Sequence, residues 1–178
     1  GATCNAETGP NRGADGIYEI KGRGDKRELA FKSYFKIPRH QADTENCVAH
    51  NASLIPVKGK DLMVQAWYQG GISVWDFTRS TKPKEIAYFE RGPLSADQLV
   101  GGGSWSAYYY NGHIYSNDMV KGFDVLKLND KRTKPAERVR LVPWGDERSP
   151  RRDPDPPGPG RLPAPTPAPG RTRHARTS

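Results

Sequence analysis

The sequence predicts an all-β protein made of tandem units of short antiparallel strands, followed by a tail with no core of its own. Three observations carry this. Apolar and polar residues alternate in short runs broken by Gly, Pro, Asn and Asp, the pattern of half-buried strands and turns. One arrangement of glycine, apolar strand, polar turn, proline and glutamate recurs along the chain. After Trp144 the composition changes abruptly: residues 145–178 hold nine of the sixteen prolines and almost no large apolar side chain.

The recurring unit is clearest in GGISVWDFTRSTKPKEIAYFERGP, residues 70–93. Gly71 is followed by Ile72, Val74 and Phe77, a polar turn, then Pro83, Glu85, Ile86 and Tyr88. Gly122 opens a second copy in KGFDVLKLNDKRTKPAERVRL, where Phe123, Val125 and Leu128 lead to Pro135, Glu137, Val139 and Leu141. A third, earlier copy begins at Gly16, with Glu28, Leu29 and the Tyr34-Phe35 pair in the places of Glu85, Ile86 and Tyr88-Phe89.

The stretches between copies supply two more strands each. ASLIPVKGKDLMVQAWYQGG turns near Gly59, and WSAYYYNGHIYSNDMVKG turns at Asn111-Gly112, a dipeptide suited to the positive φ angles of a type I′ hairpin. Each full unit is therefore four strands. A period of 50–55 residues carrying four antiparallel strands is the signature of a propeller blade, whereas a β-sandwich has no reason to repeat these residues in one order. The expected architecture is a partial β-propeller of about two and a half to three four-stranded blades over residues 1–144, anchored at Gly16, Gly71 and Gly122, with a disordered Pro/Gly/Arg-rich tail over 145–178. Closing a propeller takes about four to eight blades. The expected piece is thus incomplete, and its remaining blades come from further sequence or from another chain.

Two local expectations follow. Ser95, with Gln98 three residues on and Gly101 beyond, predicts a short helix in SADQLVGGG, and GGGSWS reads as a flexible connection. Trp67, Tyr68, Trp75, Phe77, Tyr88, Phe89, Tyr108, Tyr109, Tyr110 and Tyr115 all fall in strand segments, where they are read as core between blades, with a sugar-binding platform as the functional alternative.

GGISVWDFT with Pro83, and GFDVLKLN with Pro135, resemble the LVIVD repeats, a family of β-propeller-like repeats found largely in bacterial secreted and surface proteins. The second copy carries Lys127 where the hallmark has Asp, and GIYEIKG departs further. The resemblance covers residues 16–142 and implies an extracellular or cell-surface protein with an interaction role; it carries no catalytic residue onto this chain.

Charge and cysteines set bounds on function. The net charge is +8, but the tail holds seven of the 28 basic and four of the 20 acidic side chains, so the body is only mildly basic. No cluster of Lys and Arg around aromatics marks a nucleic-acid face, which leaves polyanion binding to the Arg-rich tail as a remote reading. No run approaches the ~18–20 apolar residues of a membrane span. The opening GATCNAETGP has neither an initiator Met nor a signal peptide, and reads as a mature or excised piece. Cys4 and Cys47 admit two readings, a disulfide suited to a secreted protein or two separate thiols.

The densest polar group is RHQADTENCVAHN, with His40, Asp43, Glu45, Cys47 and His50. His50, His40 and Cys47 are candidate zinc ligands, although only Cys47 and His50 are closely spaced; the plainer reading is an inter-blade loop entering an inner strand at Cys47, with His50 near a channel mouth. Asn117 and Asp118 offer oxygen atoms to calcium or, more simply, to turn amides. Asn51 with Ser53 forms a glycosylation sequon, and Arg23-Gly24-Asp25 spells an adhesion tripeptide on a turn. The leading functional reading is a non-enzymatic binding or scaffold module for protein or glycan; the alternative is a metal-dependent enzyme with His50 in an axial channel.

Overall fold

The structure, a computed structural model, describes residues 3–139; the expected disorder of 145–178 lies outside the described residues. Nine strands form three antiparallel sheets, and no α-helix occurs among the described residues. Sheet 1 is the hairpin of β1 (Asp15–Lys21) and β2 (Glu28–Phe35). Sheet 2 is the meander β3 (Ala52–Ile55), β4 (Leu62–Ala66), β5 (Ile72–Asp76) and β6 (Lys84–Phe89). Sheet 3 comprises β7 (Ser104–Tyr110), β8 (His113–Asp118) and β9 (Gly122–Lys127).

Sheet 2 is the middle layer because its central strands are apolar on both sides, as the near-continuous runs LMVQAW and ISVWDF require. Leu62, Val64, Ala66, Ile72 and Val74 point one way, into a core shared with Ala107, Tyr109, Ile114 and Leu128 of the third unit. Met63, Trp75 and Phe77 point the other way, where with Trp67 they meet Ile17 and Phe35 of sheet 1 and Ile37 beyond it. Phe35 stacks on Trp75 at 4.2 Å, nearly parallel, and meets the edge of Trp67 at 5.9 Å. Aromatic pairs of this kind add about 1 kcal/mol each beyond the area they bury.

The strand registers make the repeat measurable. The hairpins β4–β5 and β8–β9 each close over three residues, 68–70 and 119–121, and Gly71 and Gly122 stand at the same point with φ of +77° and +95°. The inner strands are related by a different step, because the β3–β4 loop spans 56–61 while β7–β8 turns on Asn111-Gly112 alone: Ile55 corresponds to Tyr110, 55 residues on.

Sheet 1 corrects the anchor at Gly16. The register shifts between Ile17 and Tyr18 of β1, opposite the extra residue Lys32 in β2, as it does between Val74 and Trp75 of β5, opposite Ile86 in β6, and Asp15 faces Phe35 as Ile72 faces Phe89. The counterpart of Gly71 is therefore Ala14, while Gly16 lies inside β1 opposite Tyr34, without a positive φ. Tyr34-Phe35 does correspond to Tyr88-Phe89, but Glu28 does not correspond to Glu85. The misplacement is two residues, and an even slip preserves which side chains share a face, so the apolar pattern alone could not expose it.

Other expectations also change. Among the described residues the three units hold two, four and three strands, where about two and a half to three four-stranded units are expected from the sequence. In the third, the stretch expected as a last strand from Pro135 begins as a 3₁₀ turn, Lys134–Arg138, and Leu141 lies outside the described residues. Pro135 has no amide to give a ladder, and the Asp130 carbonyl accepts the Thr133 hydroxyl, which starts a turn and buries Ala136 in the core. The inner strand begins at Ala52, not Cys47. No helix forms over SADQLVGGG: the Ser95 hydroxyl accepts from the amides of Asp97 and Gln98, but Leu94 is held by Gln69 and Val100 bridges to Glu45, so the segment is kept extended. Nor is GGGSWS a slack connection, since Gly103, at φ +90°, lies so close to the backbone of Tyr68 and Gln69 that no side chain fits there, and strand β7 starts at Ser104.

Cys4 and Cys47 form a disulfide, with Cα atoms 5.5 Å apart and both residues buried beside Ile37 and Trp67. The bridge ties the N-terminal segment to the lead into β3. Closing a 43-residue span in the unfolded chain corresponds to about 4 kcal/mol. The Cys4→Ala/Cys47→Ala double variant is expected to lose most of that in urea unfolding at neutral pH; an unchanged midpoint and slope would show that the bridge adds nothing to stability.

Candidate functional site

The inner-strand step of 55 residues pairs His50, just ahead of β3, with Trp105 at the start of β7. Equivalent backbone positions in adjacent units thus bring an imidazole and an indole together, their ring centroids 4.4 Å apart. Tyr68, in the β4–β5 loop, completes the group at 4.6 Å from His50 and 5.8 Å from Trp105, edge-on to the indole. Trp105 is 43% exposed, so the cluster opens to solvent.

Its geometry is held by backbone. His50 Nδ1–H donates to the Trp105 carbonyl at 2.5 Å, which leaves Nε2 as an acceptor in the neutral ring. The Tyr68 amide donates to the Ser104 carbonyl at 3.1 Å and the Ser104 amide donates back at 2.9 Å, an isolated antiparallel bridge between neighbouring units. Tyr68 adopts φ +53°, a left-handed conformation that costs a bulky residue on the order of 1–3 kcal/mol and persists where the surroundings impose it. Asn111, with φ +46°, needs no such account, because it lies in the Asn-Gly hairpin turn.

Beneath the cluster two buried amides brace the frame. The side-chain NH₂ of Gln69 donates to Asn46 Oδ1 at 2.7 Å and to the Val100 carbonyl at 2.6 Å, and its oxygen accepts from the Leu94 amide at 2.6 Å. Gln65 accepts from Trp75 Nε1 at 3.1 Å and donates to Asp15 Oδ1 at 2.9 Å and to the His50 carbonyl at 3.1 Å. Sheet 1, sheet 2 and the His50 backbone are thereby joined through one side chain. Asp15 Oδ2 is buried without a partner, and burial pushes this carboxyl up to about 6 despite the bond from Gln65. Ion pairs lie further out: Arg91 makes two 2.6 Å bonds to Asp124, which lowers the Asp124 pKa, and Arg39 reaches Glu85 and Glu90. A cavity of about 70 Å³ beside Tyr68 is lined by Gln69, Arg91, Asp118 and Lys121 among others.

Of the proposed metal ligands only His50 enters this site. Cys47 has its sulfur in the disulfide and offers no thiolate, and His40 is exposed on the lead from sheet 1, so the zinc trio His50, His40 and Cys47 is not assembled. Among the described residues no three His, Cys, Asp or Glu side chains converge. Asn117 and Asp118 are used internally: Asp118 accepts from the amides of Val120 and Lys121, and Asn117 accepts from the Ser106 hydroxyl. Arg23-Gly24-Asp25 lies exposed at the tip of the β1–β2 hairpin.

Sequence reasoning singled out His50 but read Tyr68 as core and did not single out Trp105. The 55-residue spacing of His50 and Trp105 was the available signal, visible once the inner strands are aligned separately from the outer ones. The core reading holds for Trp67, Trp75 and Tyr109, whereas Tyr88, Tyr108 and Tyr110 are exposed. Comparison with known proteins finds no matching family model, no similar curated protein and no similar solved structure.

Asp15 makes stability depend on pH in a defined direction. Its folded pKa, about 6, exceeds the ordinary 3.8, so the native state holds the proton more tightly and stability falls as pH rises from about 4 to about 6. The loss from this group is on the order of 3 kcal/mol. Urea unfolding across that window should show the decline in the wild type and a flatter profile in Asp15→Asn; identical profiles would remove Asp15 as the cause.

Proposed function

We propose that this chain is a binding module of the propeller-repeat type, secreted or displayed at a cell surface, and that the His50–Tyr68–Trp105 cluster receives the ring of a carbohydrate ligand. The likeness of its repeats to LVIVD repeats supports the class. The disulfide supports the compartment, since such bridges persist in oxidising surroundings. The observation that carries the reading is a solvent-open aromatic cluster built at a repeated backbone position and held by a strained Tyr68.

The chemistry suits a sugar. The exposed indole offers an apolar face to the C–H side of a pyranose, and His50 Nε2 supplies an acceptor for a hydroxyl beside it. In a propeller, inner-strand starts from successive blades gather around the axis, so His50 and Trp105 would stand at the mouth of a central channel.

The full chain would be titrated against a panel of soluble oligosaccharides, following tryptophan fluorescence and calorimetric heat. Trp105→Ala is expected to weaken binding at least tenfold, the scale of an interface anchor, and to keep a cooperative urea transition because the indole belongs to neither buried core. Tyr68→Gly removes the strain along with the ring, so it should stay within about 1 kcal/mol of wild-type stability while losing affinity. Binding that survives both substitutions, or binding to a protein partner alone, overturns the carbohydrate reading.

A further inference from the structure

Sheets 1, 2 and 3 stack by one positional rule, and that rule is left open at both ends. In sheet 2, the residues facing sheet 3 include Leu62, Val64, Ile72 and Val74. The register relating β4–β5 to β8–β9 maps these onto His113, Tyr115, Phe123 and Val125. Phe123 is 67% exposed and Val125 53%. Conversely, Trp75 and Phe77, which face sheet 1, map through the β1–β5 register onto Tyr18 and Ile20, again exposed.

The composition of the two open faces is that of an interface. Tyr18, Ile20, Leu29, Phe31 and Tyr34 cover the outer side of sheet 1, with Phe31 in ring contact with both tyrosines at 5.5 and 4.8 Å. On the outer side of sheet 3, Tyr115 meets Tyr110 at 6.5 Å and Phe123 at 6.2 Å. The sheet 1 set contains no Lys, Arg, Asp or Glu, and on sheet 3 the apolar centre of Tyr110, Tyr115, Phe123 and Val125 is bordered by His113, Asn117 and a single charge, Lys127. A solvated sheet face carries polar side chains, and contiguous apolar patches mark contact surfaces.

We propose that the two faces bind each other between molecules: the outer side of sheet 3 of one copy docks on the outer side of sheet 1 of a second copy, continuing the stacking already present within each chain. The occupant follows from the positional equivalence. What covers the Phe123 positions in sheet 2 is another sheet of this repeat, and what covers the Tyr18 positions is the sheet before it, so the two faces complement each other and neither complements itself. Such a contact is heterologous and produces rings or longer assemblies rather than a two-fold dimer. It rests on the sheet registers and is independent of any carbohydrate bound at the His50 cluster.

Sedimentation velocity of the full chain over a range of concentrations tests this. The mass is expected to rise from 19.8 kDa to multiples of it as concentration increases. Phe31→Glu, blocking sheet 1, and Phe123→Glu/Val125→Glu, blocking sheet 3, should each assemble no further than a dimer when mixed and remain monomeric alone. The near-ultraviolet circular dichroism of the buried tryptophans confirms that each variant is folded. A wild type that stays monomeric overturns the proposal, as does assembly that survives either variant alone.

Discussion

The fold depends on sheet 2 being apolar on both faces. An antiparallel sheet ordinarily turns one side to water, and its strands then alternate strictly. Here Val64 and Val74 on one side, and Met63 and Trp75 on the other, leave no side for solvent. Such a sheet is stable only when covered twice, so the units on either side of it are a requirement of its own composition. Phe35, placed against Trp67 and Trp75, is the side chain through which sheet 1 meets that requirement.

The polar groups inside this stack are placed where units meet. Gln65 sits on the face of sheet 2 that meets sheet 1, and its amide satisfies Trp75, Asp15 and the His50 carbonyl together. Gln69 does the same for Asn46, on the lead into sheet 2, and for Leu94 and Val100, on the segment leading into sheet 3. A buried amide left without these partners would cost more than the bonds contribute, so each of the two specifies the approach of its neighbours as well as holding them. The same bracing orients His50 and Tyr68. The stiffness of the aromatic cluster is thus a consequence of how units are joined.

Much of this was legible in the chain. Asn111-Gly112 marked a hairpin because only residues tolerant of positive φ suit that turn, and Gly71 and Gly122 fell at one point of the repeat because the same three-residue loop precedes both. Gly16 was misplaced because a two-residue slip keeps every side chain on its proper face. Pro135 was assigned to a strand by analogy with Pro83, yet the local bonds around Asp130 and the burial of Ala136 favour a turn. Candidate residues were harder to read than strands: proximity in sequence grouped His40, Cys47 and His50, whereas the folded chain separates them and joins His50 to residues 18 and 55 positions away.

The sequence by itself determined the all-β class and the tandem runs of short antiparallel strands with their turns, because alternation and turn chemistry act over a few neighbouring residues. Only the tertiary structure decided that Cys4 meets Cys47, that Gly103 must be bare where it crosses Tyr68, and that His50, Tyr68 and Trp105 share one place. Those contacts depend on how one sheet approaches the next, a distance that no local pattern of residues encodes.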